Sequence, residues 1–473
     1  MSDLSVETTP IPGLLVVRLP VHRDDRGWFK ENWQREKMVA LGLPDFGPVQ
    51  NNISFNAARG TTRGIHTEPW DKFVSIASGR AFAAWVDMRA GETFGTTYWA
   101  EVDESIAVFV PRGVGNSYQA LADNTVYSYL VNDHWRPGRT YPALRLDDPT
   151  VAIPWPFPLD DGEVEISAKD QGNPLLADVD PVPARRMLIT GGGGQVGRAL
   201  ATQFPTATVL DHAALDLTDH AALEAWPWEE YEVILNAAAY TAVDEAETPE
   251  GRAAAWSVNA TAPAALARVA TEHGITVVHY STDYVFGDAG DRDLRGHTED
   301  EPFAPLNVYG QSKAAGDLAV ACTPRHYILR TSWVIGDGHN FVRTMRWLAA
   351  DGVDPAVVGD QIGRLTFTDE LARATRHLLE CSAPYGTYNA TNAGVPRSWA
   401  GYARRVFERT GHDPERVRTV STAEYAAGRS MAPRPELSVL ALDKLAATGF
   451  ISTDADDALA AYLRGSRSRI DRR

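Results

Sequence analysis

Seven residues near the middle of the chain, Gly191-Gly192-Gly193-Gly194-Gln195-Val196-Gly197, limit what it can fold into more than any others. An apolar run, Met187 to Thr190, precedes them and a helical run, Arg198 to Gln203, follows. Glycines at 191, 194 and 197 permit a tight strand-to-helix turn and the close approach of a pyrophosphate to the helix N-terminus. Asp211 ends the next strand-like run, Thr208 to Leu210, where a carboxylate accepts hydrogen bonds from an adenosine ribose. Arg198 and His212 are placed to receive a 2′-phosphate instead, so NADH and NADPH both remain open. Strand-like runs recur at Val233 to Leu235, Thr276 to His279 and Tyr327 to Leu329, with alanine-rich helices between them such as Ala260 to His273. That alternation predicts a parallel sheet covered by helices on both faces.

The first 170 residues read differently. Short β-branched and aromatic runs, such as Phe82 to Val86 and Ile106 to Val110, lie between turns at Asp25-Arg26-Gly27, Ala90-Gly91, Pro111-Arg112-Gly113 and Arg136-Pro137-Gly138. Such spacing predicts a β-sandwich or barrel. A chain of 473 residues exceeds a single core. The boundaries expected are an all-β domain over 1–176, a proline-containing linker over 177–186 and an α/β domain over 187–473. Arg464 to Arg473 reads as a frayed basic tail.

A net charge of −17 argues against a broad nucleic-acid surface. Two cysteines, Cys322 and Cys381, give neither a disulfide framework nor a zinc cluster and fit a reducing cytoplasm. No signal peptide and no apolar stretch of bilayer-spanning length are evident.

Tyr309 and Lys313 stand four apart and so share one helix face. An ammonium there stabilises a phenolate, as protonation of an alkoxide during ketone reduction requires. Asn236 to Asp244, Tyr280 to Phe286, Pro305 to Lys313 and Arg330 to Trp333 together resemble dTDP-4-dehydrorhamnose reductase, an extended short-chain dehydrogenase/reductase with a Rossmann fold. Asp360-Gln361 and Arg434-Pro435 also fit its pattern. The resemblance spans about 187 to 462. It implies a catalytic triad of Thr282, Tyr309 and Lys313, with Asp283 and Trp333 against the sugar. The implied NADH or NADPH site comprises Gly191, Gly194, Gln195, Val196, Gly197, Asp211, Asp216, Leu217, Ala237, Ala238, Ala239, Tyr309 and Lys313. Some members hold magnesium through glutamates; the relevant position is Ala199 here, so no metal is expected.

In the first half, Asp25 to Glu31, Gln50 to Ser54, Arg63 to His66, Val86 to Arg89, Thr93 to Gly95, Asp147 to Pro149 and Trp155-Pro156 resemble dTDP-4-dehydrorhamnose 3,5-epimerase, a cupin-type β-jelly roll. The resemblance implies that His66, paired with Asp170, removes protons at C3 and C5. Lys72 and Arg63 would stabilise the enolate, Tyr129 would deliver a proton from the opposite face, and Arg26, Glu31, Gln50 and Asn52 would bind the nucleotide. Two positions depart from the family: Asn116, a substrate-side candidate, replaces a histidine, and Thr67-Glu68 replaces an aromatic-Gln pair. These departures leave room for epimerisation at one centre or a degenerate binding domain. The expected function is bifunctional dTDP-L-rhamnose synthesis from a dTDP-4-dehydro-6-deoxyhexose by a homodimer without nucleic-acid or membrane partners.

Overall fold

The computed structural model describes residues 3–135, 140–287 and 294–470, with backbone alone for 466–470. The turn expected at Arg136 to Gly138 lies outside them. The chain divides into two compact units, Met1–Ala184 and Arg185–Arg473.

The first unit is built on two larger antiparallel sheets, with a small separate hairpin of His22–Asp24 and Gly27–Phe29. Six strands pair in the order Ser5–Thr8, Leu15–Arg18, Ile106–Val110, Lys72–Ser78, Thr125–Val131 and Gln50–Asn56. Four more pair in the order Thr62–His66, Val114–Ala120, Ala81–Asp87 and Thr97–Val102. Val74, Val108 and Tyr127 of the larger sheet pack with Trp85 and Tyr118 of the smaller, forming the core. The strand Ala81–Asp87 is buried throughout, which its run of Ala, Phe, Trp and Val permits. Gln50–Asn56 behaves in the opposite way. Its polar residues alternate inward, while Ile53 and Phe55 are 67% and 57% exposed on the open edge of the sheet.

Segment 177–186, expected as a linker, is mostly exposed but is held to this unit at Val179 and Val182. Leu176 is buried at the start of a 3-10 turn. The backbone of Val182 then bonds to Met88 and Ala90. Proline content marks a segment that cannot join a central strand, but it does not prevent docking on an edge.

The second unit is built on a six-stranded sheet, all parallel, in the order Thr208–Val209, Arg186–Thr190, Tyr231–Asn236, Thr276–Thr282, His326–Thr331 and Gly386–Asn389. Chain order reverses direction at Arg186–Thr190. The crevice beyond the carboxyl ends of that strand and Tyr231–Asn236 is where such sheets bind ligands. Helices Gln195–Gln203, Ala262–His273, Val308–Ala321 and Thr368–Glu380 cover the sheet. The expected frayed tail is a correction: residues 464–470 continue the helix Ala455–Ile470, whose Leu459 and Leu463 are buried in a side core. No helix among the described residues is long and apolar enough to cross a membrane.

Candidate active sites

In the first unit, His66 ends a strand of the smaller sheet and stands directly opposite Asn116. Gly64 and Gly115 make this pairing possible: a Cβ on Gly64 would lie 2.7 Å from the Ser117 Cα, and one on Gly115 would lie 2.5 Å from Ile65. His66 Nε2 lies 2.7 Å from Asp170 Oδ1. Asp170 sits in a short helix capped by Ser167. Burial pushes the Asp170 carboxyl upward, but hydrogen bonds from His66, Ser167 and the Gly64 amide outweigh it and hold the group below the usual carboxylate range. In the neutral form, an Nε2–H donating to this carboxylate leaves the lone pair on Nδ1.

The larger sheet supplies the facing groups. Lys72, 4% exposed, ion-pairs with Glu68, and its Nζ lies 6.0 Å from the Tyr129 ring centroid. Burial, then the Glu68 charge, raises the Tyr129 phenol above its ordinary value, so it is held protonated. Three hydrogen bonds involving Asn56 and Asn116 tie the sheets together here. Arg63 Nε donates to Asn56 Oδ1 at 3.0 Å, Tyr118 donates to Asn56 Oδ1 at 3.2 Å, and Tyr127 donates to Asn116 Oδ1 at 3.0 Å. Asn116 Oδ1 also accepts from Trp85 Nε1, so this oxygen braces two aromatic side chains. Gln50 Nε2 donates to Asn52 Oδ1 on the inward face of the edge strand. Arg26 and Glu31 lie on a different feature. Arg26 is on an exposed hairpin, paired with Asp24, and Glu31 pairs with Lys37. Among the described residues, no hydrogen bond or ion pair joins either to His66.

In the second unit, each glycine that the turn pattern singles out has a local cause. Gly191 has a φ of +67°, and a Cβ there would lie 2.5 Å from the Ala238 amide nitrogen. A Cβ on Gly197 would overlap the Gly191 carbonyl. Gly194 caps the helix without a side chain. Gly197→Ala is therefore expected to cost about 1–3 kcal/mol through overpacking and to distort the turn, read as a lower denaturation midpoint of the second unit.

Gln195 Oε1 accepts from the Gly336 amide at 2.8 Å, and Val196 packs against the sheet. Arg198 donates to the carbonyls of Gly193 and Asp337, which commits it to bracing the turn. Asp211 is exposed and accepts from the Ala214 amide; Asp216 accepts from Thr218, and Leu217 is core. Ala237, Ala238 and Ala239 follow the strand Tyr231–Asn236 and reach the glycine turn at Gly191.

Tyr309 and Lys313 lie on the first two turns of Val308–Ala321, which Asn307 caps through the Gly310 amide. Burial pushes the Tyr309 phenol well above its ordinary value, with a hydrogen bond to Thr282 working against it. The lowered phenol expected from Lys313 is thus not a property of the protein alone. Burial lowers Lys313 to about 8, opposed by Asp317. Thr282 donates to Asp283 Oδ1 at 3.0 Å, and burial raises Asp283 to about 7. Trp333 adopts a left-handed φ of +45° and stacks on Trp399 at 3.7 Å, with 9% of its surface accessible. His279, which the sequence reading passed over as part of an apolar strand, lies 3.3 Å from Lys313 Nζ.

The first unit thus has the geometry of an acid–base site, and the second that of a dinucleotide-dependent reductase. The chain belongs to two matching families: the RmlD substrate binding domain family over residues 185–467, and the dTDP-4-dehydrorhamnose 3,5-epimerase family over residues 8–178. It is similar to a dTDP-4-dehydrorhamnose reductase of Mycolicibacterium smegmatis, 42% identical over 275 residues, covering 57% of this chain and 81% of that protein. It is also similar to the "Protein RmlC homolog" of Streptococcus pyogenes serotype M6, 45% identical over 185 residues, covering 37% of this chain and 91% of that protein. Among solved structures, dTDP-4-dehydrorhamnose reductase from Bacillus anthracis in complex with NADP aligns with a TM-score of 0.54 and 33% identity, covering 59% of this chain and 98% of that one.

Proposed function

We propose that this chain is a bifunctional enzyme of dTDP-L-rhamnose synthesis. It epimerises dTDP-4-dehydro-6-deoxyglucose at C3 and C5 and then reduces the C4 ketone. What supports this reading most is the presence of both families in one chain, because a single ketone serves both steps. It acidifies C3 and C5 first and accepts hydride afterwards. On this reading the first unit is a cupin-type jelly roll over about 1–176, the second a Rossmann fold over about 187–473, and 177–186 their connection.

In the epimerase half, the free Nδ1 of His66 takes the C3 and C5 protons, and Asp170 stabilises the resulting imidazolium. Lys72 and Arg63 place positive charge at the C4 oxygen, where the enolate develops. Tyr129, held protonated, returns a proton from the other face. Gln50, Asn52 and Asn116 line the sugar side, and Arg26 and Glu31 serve the nucleotide.

In the reductase half, the glycine turn leaves room for a pyrophosphate that no side chain fills, so the residues present fit NADPH or NADH. Gly191, Gly194, Gln195, Val196, Gly197, Asp211, Asp216, Leu217 and Ala237 to Ala239 would hold it, with Lys313 on the ribose. A nicotinamide bound there would supply the hydride for C4. Tyr309 gives its proton to O4, Thr282 hydrogen-bonds the carbonyl, and Asp283 and the open edge of Trp333 meet the sugar. Oxidation of NADPH or NADH upon addition of the 4-keto sugar tests this; a folded enzyme that oxidises neither would refute it.

A homodimer formed through the edge strand Gln50–Asn56 would cover Ile53 and Phe55 and satisfy its unpaired backbone. Ile53→Glu with Phe55→Glu is expected to halve the mass measured by light scattering, and an unchanged mass would exclude this edge as the interface. The enzyme would act in the reducing cytoplasm, where its two exposed cysteines stay free.

A further inference from the structure

Behind Tyr309 and Lys313 runs a buried chain of polar groups. Thr190 Oγ1 donates to Asn236 Oδ1 at 2.8 Å, Asn236 Nδ2 lies 3.1 Å from His279 Nδ1, and His279 Nε2 lies 3.3 Å from Lys313 Nζ. Lys313 Nζ also donates to the Tyr280 carbonyl at 2.6 Å. His279 is fully buried and Lys313 is 1% exposed.

This order of donors fixes the imidazole. An amide nitrogen donates and does not accept, so Nδ1 carries the lone pair and the ring proton sits on Nε2. That N–H points at Lys313. An ammonium has three donors and no acceptor, so it presents a donor to a donor. A neutral amine has a lone pair for the same N–H. Desolvation, then the Lys313 charge, drives the His279 imidazole well below its ordinary value, so the ring stays neutral.

We propose that Asn236 and His279 form a tautomer lock on Lys313, presenting an N–H that favours the amine form and keeps the lysine proton exchangeable. His279 is a positioning residue on this proposal, acting through Lys313. The other charged and titratable groups around Lys313 are few. Asp317, one turn further along the same helix, favours the ammonium, and its Oδ1 lies 4.0 Å from His279 Nε2. Arg330, on the neighbouring strand, draws on that carboxylate with Nε 3.0 Å from Oδ2. Tyr309 lies one turn back, and Asp283 stands beyond it. Burial and this set of charges bring Lys313 to about 8. A buried phenolate at Tyr309 then has a neighbour able to release a proton to it.

The proposal rests on reading Lys313 as part of the reductase site. Its test needs neither cofactor nor substrate, so its failure is distinct from failure of that reading. The chain has six lysines, so ¹³Cε-lysine NMR of the full-length protein can follow Lys313, assigned with Lys313→Arg. His279→Phe removes the N–H and is expected to raise the Lys313 titration midpoint by about one unit, a tenfold change. Asn236→Leu frees the ring to turn a lone pair toward the ammonium and is expected to raise it too. Circular dichroism establishes which variants fold, and either one decides the matter. A midpoint that stays or falls in a folded variant overturns the proposal.

Discussion

Tyr309→Phe is expected to lower the rate of NADPH-dependent reduction by about 10²- to 10⁴-fold, the range lost when a positioned proton donor is removed. The change deletes one hydroxyl and keeps the ring, which packs at 5.9 Å against Tyr284. Folding is therefore expected to survive. Proton exchange at C3 and C5 is expected to continue at its original rate, because His66 and Asp170 belong to the other unit. On the proposed role of the phenol as proton donor in the transition state, the effect should fall on kcat more than on KM. Stopped-flow absorbance of NADPH and ¹H NMR of the keto sugar read the two activities separately. Equal loss of both would mean that the substitution had damaged the protein rather than removed an acid.

His66→Asn is expected to produce the reverse pattern. Loss of the base should lower epimerisation by about 10²- to 10⁴-fold, while a keto sugar supplied already epimerised is still reduced. Asparagine can keep a hydrogen bond to Asp170 but cannot take a proton near neutral pH. The buried carboxylate, 6% exposed, would otherwise be left without its partner, so Asn is preferred to Ala for this experiment. Deuterium exchange at C3 and C5 in D₂O measures the loss at each carbon. Retained exchange at one carbon alone would show that another group serves that centre.

The sequence exposes the parts of this structure that rest on backbone constraint. The glycine turn is legible because Gly191 needs a positive φ and Gly197 must approach a carbonyl, and both requirements exclude other residues. The parallel strands from Arg186 to Thr331 are legible because burial on both faces demands continuous apolar runs. The His66–Asp170 pair spans 104 residues and becomes visible through family resemblance, since no local pattern joins two positions so far apart. Trp333 shows the limit of such reading. Its ring stacks on Trp399 and lies against Gly363, contacts between positions with no sequence signature, and these leave little of it for a sugar. Glu68, where the family has a glutamine, ion-pairs with Lys72. Lys72 opens the strand Lys72–Ser78 and no helix spans the two, so their spacing gives no sign in the sequence that they pair. His279 was hidden differently, because a histidine within a buried strand reads as packing until its neighbours in space are known.

Incubation of the full-length enzyme with dTDP-4-dehydro-6-deoxyglucose and NADPH in D₂O, with NMR of the product, tests directly whether one ketone serves both sites. The expected product is dTDP-L-rhamnose carrying deuterium at C3 and C5 and protium at C4. A reduced sugar with deuterium at one carbon alone, or full exchange at both carbons without reduction by NADPH or NADH, would contradict it.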